Sequence, residues 1–134
     1  MNVVLDTHAL VWLLQGNEKL GRRARRHVED SLRAQQGVIS ATSFWEIAVL
    51  VSKGRLDIGM SIVEFRLAAL RFGFHEAPID GDIAIRSVAL ADLHGDPADR
   101  FIAATAIGLG ASLLTADRIL LAWKGPLASI DARV

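Results

Sequence analysis

Asp6, Glu46, Asp99 and Asp117 lie far apart in the chain, yet each stands where a strand gives way to a helix or in the first turn of a helix. In a parallel α/β fold those places meet at one edge of the sheet, so the four carboxylates are expected to converge. Carboxylates gathered in this way repel one another unless a divalent cation neutralises them. Hard oxygen ligands select Mg²⁺ or Mn²⁺, and the pattern lacks the histidine and cysteine set that favours zinc. Such a cluster can hold one ion firmly, or two about 3.5 to 4 Å apart, and the sequence leaves the number open. The chemistry in prospect is metal-assisted hydrolysis.

Each acid also has a purely structural explanation. Asp6 and Asp117 are placed to cap the helices that follow them, Ser43-Phe44-Trp45-Glu46 matches a capping box, and Asp96-Pro97-Ala98-Asp99 sets a cap before a proline at the first helical position. Glu46 argues for more than capping. Its helix has Trp45, Val49 and Leu50 around it and Phe44, Ile47, Ala48 and Val51 on the other face, so no solvated side is expected for a decorative carboxylate. A carboxylate among such neighbours needs a partner.

The elements that must position these acids follow from the pattern of apolar residues. Asn2 to Leu5 reads as a strand, Ala9 to Leu14 as a helix, and Leu20 to Gln36 as an amphipathic helix with one strongly basic face. Gly37 to Ser40 is a second strand, followed by helices over Thr42–Lys53 and Ser61–Phe72. Phe74 to Ile79 is a short strand and Asp82 to Leu93 a helix, broken at His94-Gly95-Asp96-Pro97. A helix rich in small residues runs from Pro97 to Gly108 or Gly110. Strands over Ala111–Leu114 and Leu127–Ile130 complete the order. Strands alternating with helices predict a single α/β domain over residues 1–134, with a parallel central sheet of four to five strands flanked by helices.

Composition narrows the function further. A chain of 134 residues with 51% hydrophobic content can bury a real core, and the absence of cysteine excludes disulfides, thiolate metal sites and a cysteine nucleophile. No signal segment or membrane-length apolar run is present, so a soluble cytoplasmic protein is expected. Fifteen basic residues balance fifteen acidic ones, so any nucleic-acid binding must come from a local patch.

Four blocks, LDTHALVWLL, SATSFWEIAVLVSKGRL, HGDPADRFIAATA and LLTAD, together resemble the motif blocks of PIN-domain proteins. They are most similar to the VapC-type toxins of bacterial type II toxin–antitoxin pairs, in family order and over almost the whole chain. The resemblance implies a Mg²⁺- or Mn²⁺-dependent endoribonuclease with Asp6, Glu46, Asp99 and Asp117 as catalytic metal ligands. It implies an RNA substrate, a homodimer and a cognate VapB-type antitoxin. The segment DRFIAATA aligns Asp99 with the family's third acid, so Asp96 reads as the helix cap, with metal contact as the alternative. Thr7 and Thr115 are placed to hydrogen-bond the acids from behind. Ala98 stands where many relatives carry a bulky residue.

Other residues receive blander readings. His8 and His94 flank the acids, where phosphate binding or proton relay is conceivable, but histidines so placed are more often structural. The Arg22, Arg23, Arg25, Arg26 run reads as a solvated face tied by Arg25–Glu29 and Arg26–Asp30 pairs rather than as an RNA or antitoxin contact. Lys53, Arg55, Arg100 and Arg118 fall nearer the acidic edge, with Arg100 placed to pair with an acid. Trp12 and Trp45 read as core or dimer-interface aromatics. A phosphorylation-dependent receiver domain would need paired acids after the first strand and a lysine after a late one, and neither is present. A catalytically idle PIN-type module that binds RNA or protein is the remaining rival.

Overall fold

The computed structural model describes residues 1–134. In chain order the elements are β1 (Val3–Leu5), α1 (Thr7–Gln15), α2 (Arg22–Arg33), β2 (Gly37–Ser40), α3 (Ala41–Ser52), α4 (Ile62–Phe72), β3 (His75–Ala77), α5 (Gly81–Val88), α6 (Pro97–Gly108), β4 (Ser112–Thr115), α7 (Arg118–Ala122) and β5 (Ala128–Asp131). The five strands form one sheet in the order β3-β2-β1-β4-β5, with every neighbouring pair parallel. No helix is long and apolar enough to cross a membrane.

A parallel sheet covered on both faces needs apolar residues on both sides of each strand, and the short strands here supply them by simple alternation. Val3, Leu5, Ile39 and Leu114 face one core, where α1, α2, α3 and α4 contribute Leu10, Val28, Ile47 and Phe65. Val4, Val38 and Leu113 face the other, filled by Ile102, Ala103 and Ala106 of α6 and Leu120 of α7. The small residues of α6 let its backbone lie close to the sheet. Gly37 serves close packing too, since a Cβ there would sit 2.9 Å from the Phe74 ring.

β1 pairs with β2 on one side and β4 on the other. The direction of winding reverses at β1, and ligand crevices in such sheets open beyond the strand ends at that reversal. The Asp6 amide donates to the Leu114 carbonyl at 3.0 Å, fixing the ends of β1 and β4 side by side.

Several elements depart from the sequence-based expectation. α2 is shorter than Leu20–Gln36 because the Gly21 amide is drawn to the Ala132 carbonyl at one end, while Gln35 turns left-handed with φ 57° at the other. The expected Arg25–Glu29 and Arg26–Asp30 pairs do not form; the ion pair on this helix joins Arg33 to Asp30. α5 stops at Val88 rather than Leu93. The short helix α7 was not anticipated, although its Asp117 cap was.

Candidate active site

Three of the acids cap helices, as their sequence positions foretell. Asp6 accepts from the Ala9 amide at 3.1 Å, Asp96 from Ala98 at 3.0 Å and Asp99 at 3.4 Å, and Asp117 from Ile119 at 2.8 Å and Leu120 at 3.2 Å. The Ser43–Glu46 capping box does not form. β2 passes into α3 without a loop, so Ser40 is the cap and accepts from the Thr42 amide at 3.1 Å. Ser43 and Glu46 are instead free for a tertiary contact, and the Thr7 hydroxyl hydrogen-bonds both, Ser43 Oγ at 3.1 Å and Glu46 Oε1 in a short contact. At Ser61 the spacing does act locally: its hydroxyl accepts from the Glu64 amide and donates to the Glu64 carboxylate.

The winding reversal brings Asp6, Glu46, Asp96, Asp99 and Asp117 around one cavity of about 310 Å³, together with Thr7, His8, Trp12, Ala116 and Arg133. Asp6 is buried, Asp99 and Asp117 are partly so, and Asp96 is exposed. Thr115 reaches across from the end of β4 to donate its hydroxyl to Asp6 Oδ2. Each threonine therefore fixes one carboxylate and leaves it lone pairs that still face the cavity. Glu46 is half-buried, but its helix has a solvated flank after all: Trp45 beside it is 61% exposed.

The electrostatics of the cavity are unfavourable to its own acids. Burial, followed by the charges of Asp96, Asp117, Glu46 and Asp6, pushes the Asp99 carboxyl up from 3.8 to about 8. Burial likewise raises Asp6, against the hydrogen bonds from Thr115 and Ala9, and raises Glu46 against the bond from Thr7. Burial and mutual repulsion thus disfavour the charged form of these carboxylates, and a cation would favour it.

His94 comes closer to this cluster than its sequence position foretells. Ligand atoms of His94, Asp99 and Asp117 all fall within 4.8 Å of one another, and His94 Nε2 lies 3.1 Å from Asp99 Oδ2, too far off line for a hydrogen bond. The Asp96 amide donates to His94 Nδ1 at 3.3 Å. Nδ1 is thereby engaged, and Nε2 faces Asp99 and Asp117 with no hydrogen-bond partner of its own. Apart from His94, the donors around the cavity are carboxylate oxygens, a set that fits Mg²⁺ or Mn²⁺. Asp99 and Asp117 offer carboxylate oxygens within 4.8 Å of each other and of His94.

Arg100 pairs with no acid. It runs back under the loop between α5 and α6 and donates to the carbonyls of Ser87, Leu90 and Leu93 at 2.8 to 3.0 Å and of Val88 and His94 at 3.2 Å. Those bonds explain why α5 ends early, and they set the path that delivers His94 and Asp96 to the cavity. On the same loop the Ala91 carbonyl accepts from the Trp123 indole at 2.9 Å. Arg133 was not singled out in the sequence at all. It stands after β5 in no motif, and nothing but the tertiary fold brings it to the acids.

A five-stranded parallel sheet with acids at its winding reversal defines a class of fold, and comparison with known proteins gives the family. The PIN domain model matches residues 3–124, and the chain belongs to the PIN domain family. Over 125 residues it is 32% identical to Ribonuclease VapC22 of Mycobacterium tuberculosis, covering 92% of this chain and 93% of that protein. Among solved structures it resembles a toxin–antitoxin complex from Klebsiella pneumoniae with TM-score 0.67 and 25% identity over 98% of each chain. It also has the fold of FitAcB from Neisseria gonorrhoeae, with TM-score 0.69 and 22% identity over 97% of each chain.

Proposed function

We propose that the chain, acting as one unit over residues 1–134, is a Mg²⁺- or Mn²⁺-dependent endoribonuclease and the toxin of a toxin–antitoxin pair. The observation that carries the reading is the convergence of Asp6, Glu46, Asp99 and Asp117, from four separate parts of the chain, on one cavity of about 310 Å³. The likeness to a ribonuclease over nearly the full chain supports RNA as the substrate. Asp99, Asp117 and Asp6 would hold the ion, one or two, with Glu46 alongside. When bound, such an ion neutralises charge on the phosphate oxygens and lowers the pKa of a water.

The chain's own residues supply the rest. Thr115 orients Asp6, and Thr7 orients Glu46 through Oε1, leaving Oε2 to hold a water and take its proton. No side chain acts as nucleophile. Incubating the purified protein with total RNA and mapping the new 5′ ends tests this directly: cleavage is expected with Mg²⁺ or Mn²⁺ and none in EDTA. Undiminished cleavage in excess EDTA would overturn the metal-based mechanism. Metal-dependent RNA binding with no cleavage would favour the idle module instead.

The partner reading rests on exposed apolar side chains. Ile85 and Val88 on α5 are 75% and 81% exposed, and Trp45 stands out from α3. Apolar area of this kind is covered on association, so a homodimer and a separate antitoxin surface are proposed. The antitoxin would place a basic side chain among the acids, where a cation is already favoured. Light scattering should give twice the chain mass, and co-purified antitoxin should stop cleavage. A monomer at high concentration would refute the dimer, and unaffected cleavage would refute the blocking role.

A further inference from the structure

Arg133 is the one arginine or lysine lining the acidic cavity, yet it makes no ion pair with any of the acids there. Its backbone is fixed from both sides. The Arg133 amide donates to Asp131 at 2.9 Å, the Ala132 amide to the Thr115 carbonyl at 2.8 Å, and the Gly21 amide to the Ala132 carbonyl at 2.9 Å. Gly21 must be glycine for this approach, since a Cβ there would lie 2.5 Å from the Arg133 carbonyl oxygen. The side chain is anchored at one point. One guanidinium nitrogen donates to the Ala116 carbonyl, next to Asp117, and the guanidinium carbon sits 6.0 Å from the centre of the Trp12 ring. A guanidinium carries five N–H donors, and this contact uses one.

An arginine anchored at the cavity wall with unspent donors, beside acids proposed to hold a cation, has the chemistry of a phosphate clamp. We propose that Arg133, supported by the face of Trp12, binds a backbone phosphate of single-stranded RNA entering the site. The proposal rests on RNA being the substrate and adds the group that draws a polyanion to an otherwise acidic cavity. It gives substrate recognition a residue outside the four acids.

The test measures binding separately from cleavage. A short fluorescein-labelled single-stranded RNA of mixed sequence is titrated by anisotropy in the Asp99→Asn background, with and without Arg133→Gln or Arg133→Lys. The Gln variant is expected to bind about tenfold more weakly and to lower the slope of log affinity against log salt by about 0.7, the value for one phosphate contact on a single strand. The Lys variant should keep the slope and lose part of the affinity, because charge remains while the planar fork is gone. In an otherwise unaltered chain, Arg133→Gln should leave the Mn²⁺-induced rise in melting temperature unchanged. Unchanged affinity and slope would overturn the proposal. So would weaker binding at an unaltered slope, which would make Arg133 a structural support, or an effect confined to antitoxin inhibition, which would make it a protein contact. Arg133-dependent binding by a protein that cleaves nothing would leave the proposal standing and overturn the nuclease reading alone.

Discussion

Asp99→Asn is expected to abolish RNA cleavage while making the metal-free protein more stable, and both effects have one cause. The carboxylate proposed to help hold a cation is the one its neighbours most resist. A carboxyl at about 8 in the fold and 3.8 in the free side chain binds a proton more tightly when folded. Between those values the folded chain holds more protons than the unfolded chain, so the stability of the metal-free protein falls as pH rises from 3.8 to about 8. Above that range the penalty is complete; below it the penalty vanishes. Because Asp99 is only partly buried, solvent screening reduces the effect to about 1–2 kcal/mol. Removing it should raise the melting point by roughly 3 to 8 °C. Scanning calorimetry across pH should show the wild-type slope flattened in the variant, and Mg²⁺ should stabilise the wild type only. Asp96→Asn is the control, since it keeps the cap and should keep most activity, whereas Asp96→Ala should cost about 0.5 to 2 kcal/mol. A well-folded Asp96→Asn protein as inactive as Asp99→Asn would transfer the ligand role to Asp96.

Arg100→Ala should be strongly destabilising, at about 3–5 kcal/mol, because it leaves several partly buried carbonyls without their charged donor. Against a domain stability of about 5–15 kcal/mol, that is a large share. Lysine cannot replace it, since one ammonium with three donors does not span carbonyls running from Ser87 to His94. Urea titration should show the midpoint falling at constant slope in both variants, further for alanine. A loss below about 1 kcal/mol in Arg100→Ala would mean that the loop is held by other contacts, with Trp123 the first to examine.

What was legible in the sequence divides along physical lines. β2 was read to the residue and the ends of β1 and β4 to within one, because a short apolar run after a glycine or before a hydroxyl-acid pair has few other readings. The caps at Asp6, Asp96 and Asp117 were legible because a capping acid acts on amides two or three residues away. Ser43 and Glu46 misled because their spacing is that of a local motif, while their partner, Thr7, lies 36 and 39 residues back. The end of α5 was misplaced for a similar reason, since Arg100 takes carbonyls that would otherwise continue the helix. The ion pairs expected along α2 failed because exposed charges at that spacing gain little from meeting. Arg133 carried no signal at all: its meaning comes from Gly21, Ala116 and Trp12, none of them near it in sequence.

The capping duty of some acids, added to the proposed metal-holding duty, bears on how such a chain would decay. Asp6, Asp96 and Asp117 each hold a helix start, so losing any of them weakens the fold whether or not the protein cleaves RNA. Asp99 and Glu46 cap nothing. In a lineage released from the need to cut, substitutions at Asp99 would be favoured on stability alone, while those at the capping positions would still be purged. Descendants of this fold that have fallen silent should therefore retain most of the acids and lack Asp99 first, so that a nearly complete acidic motif would be poor evidence of a working nuclease.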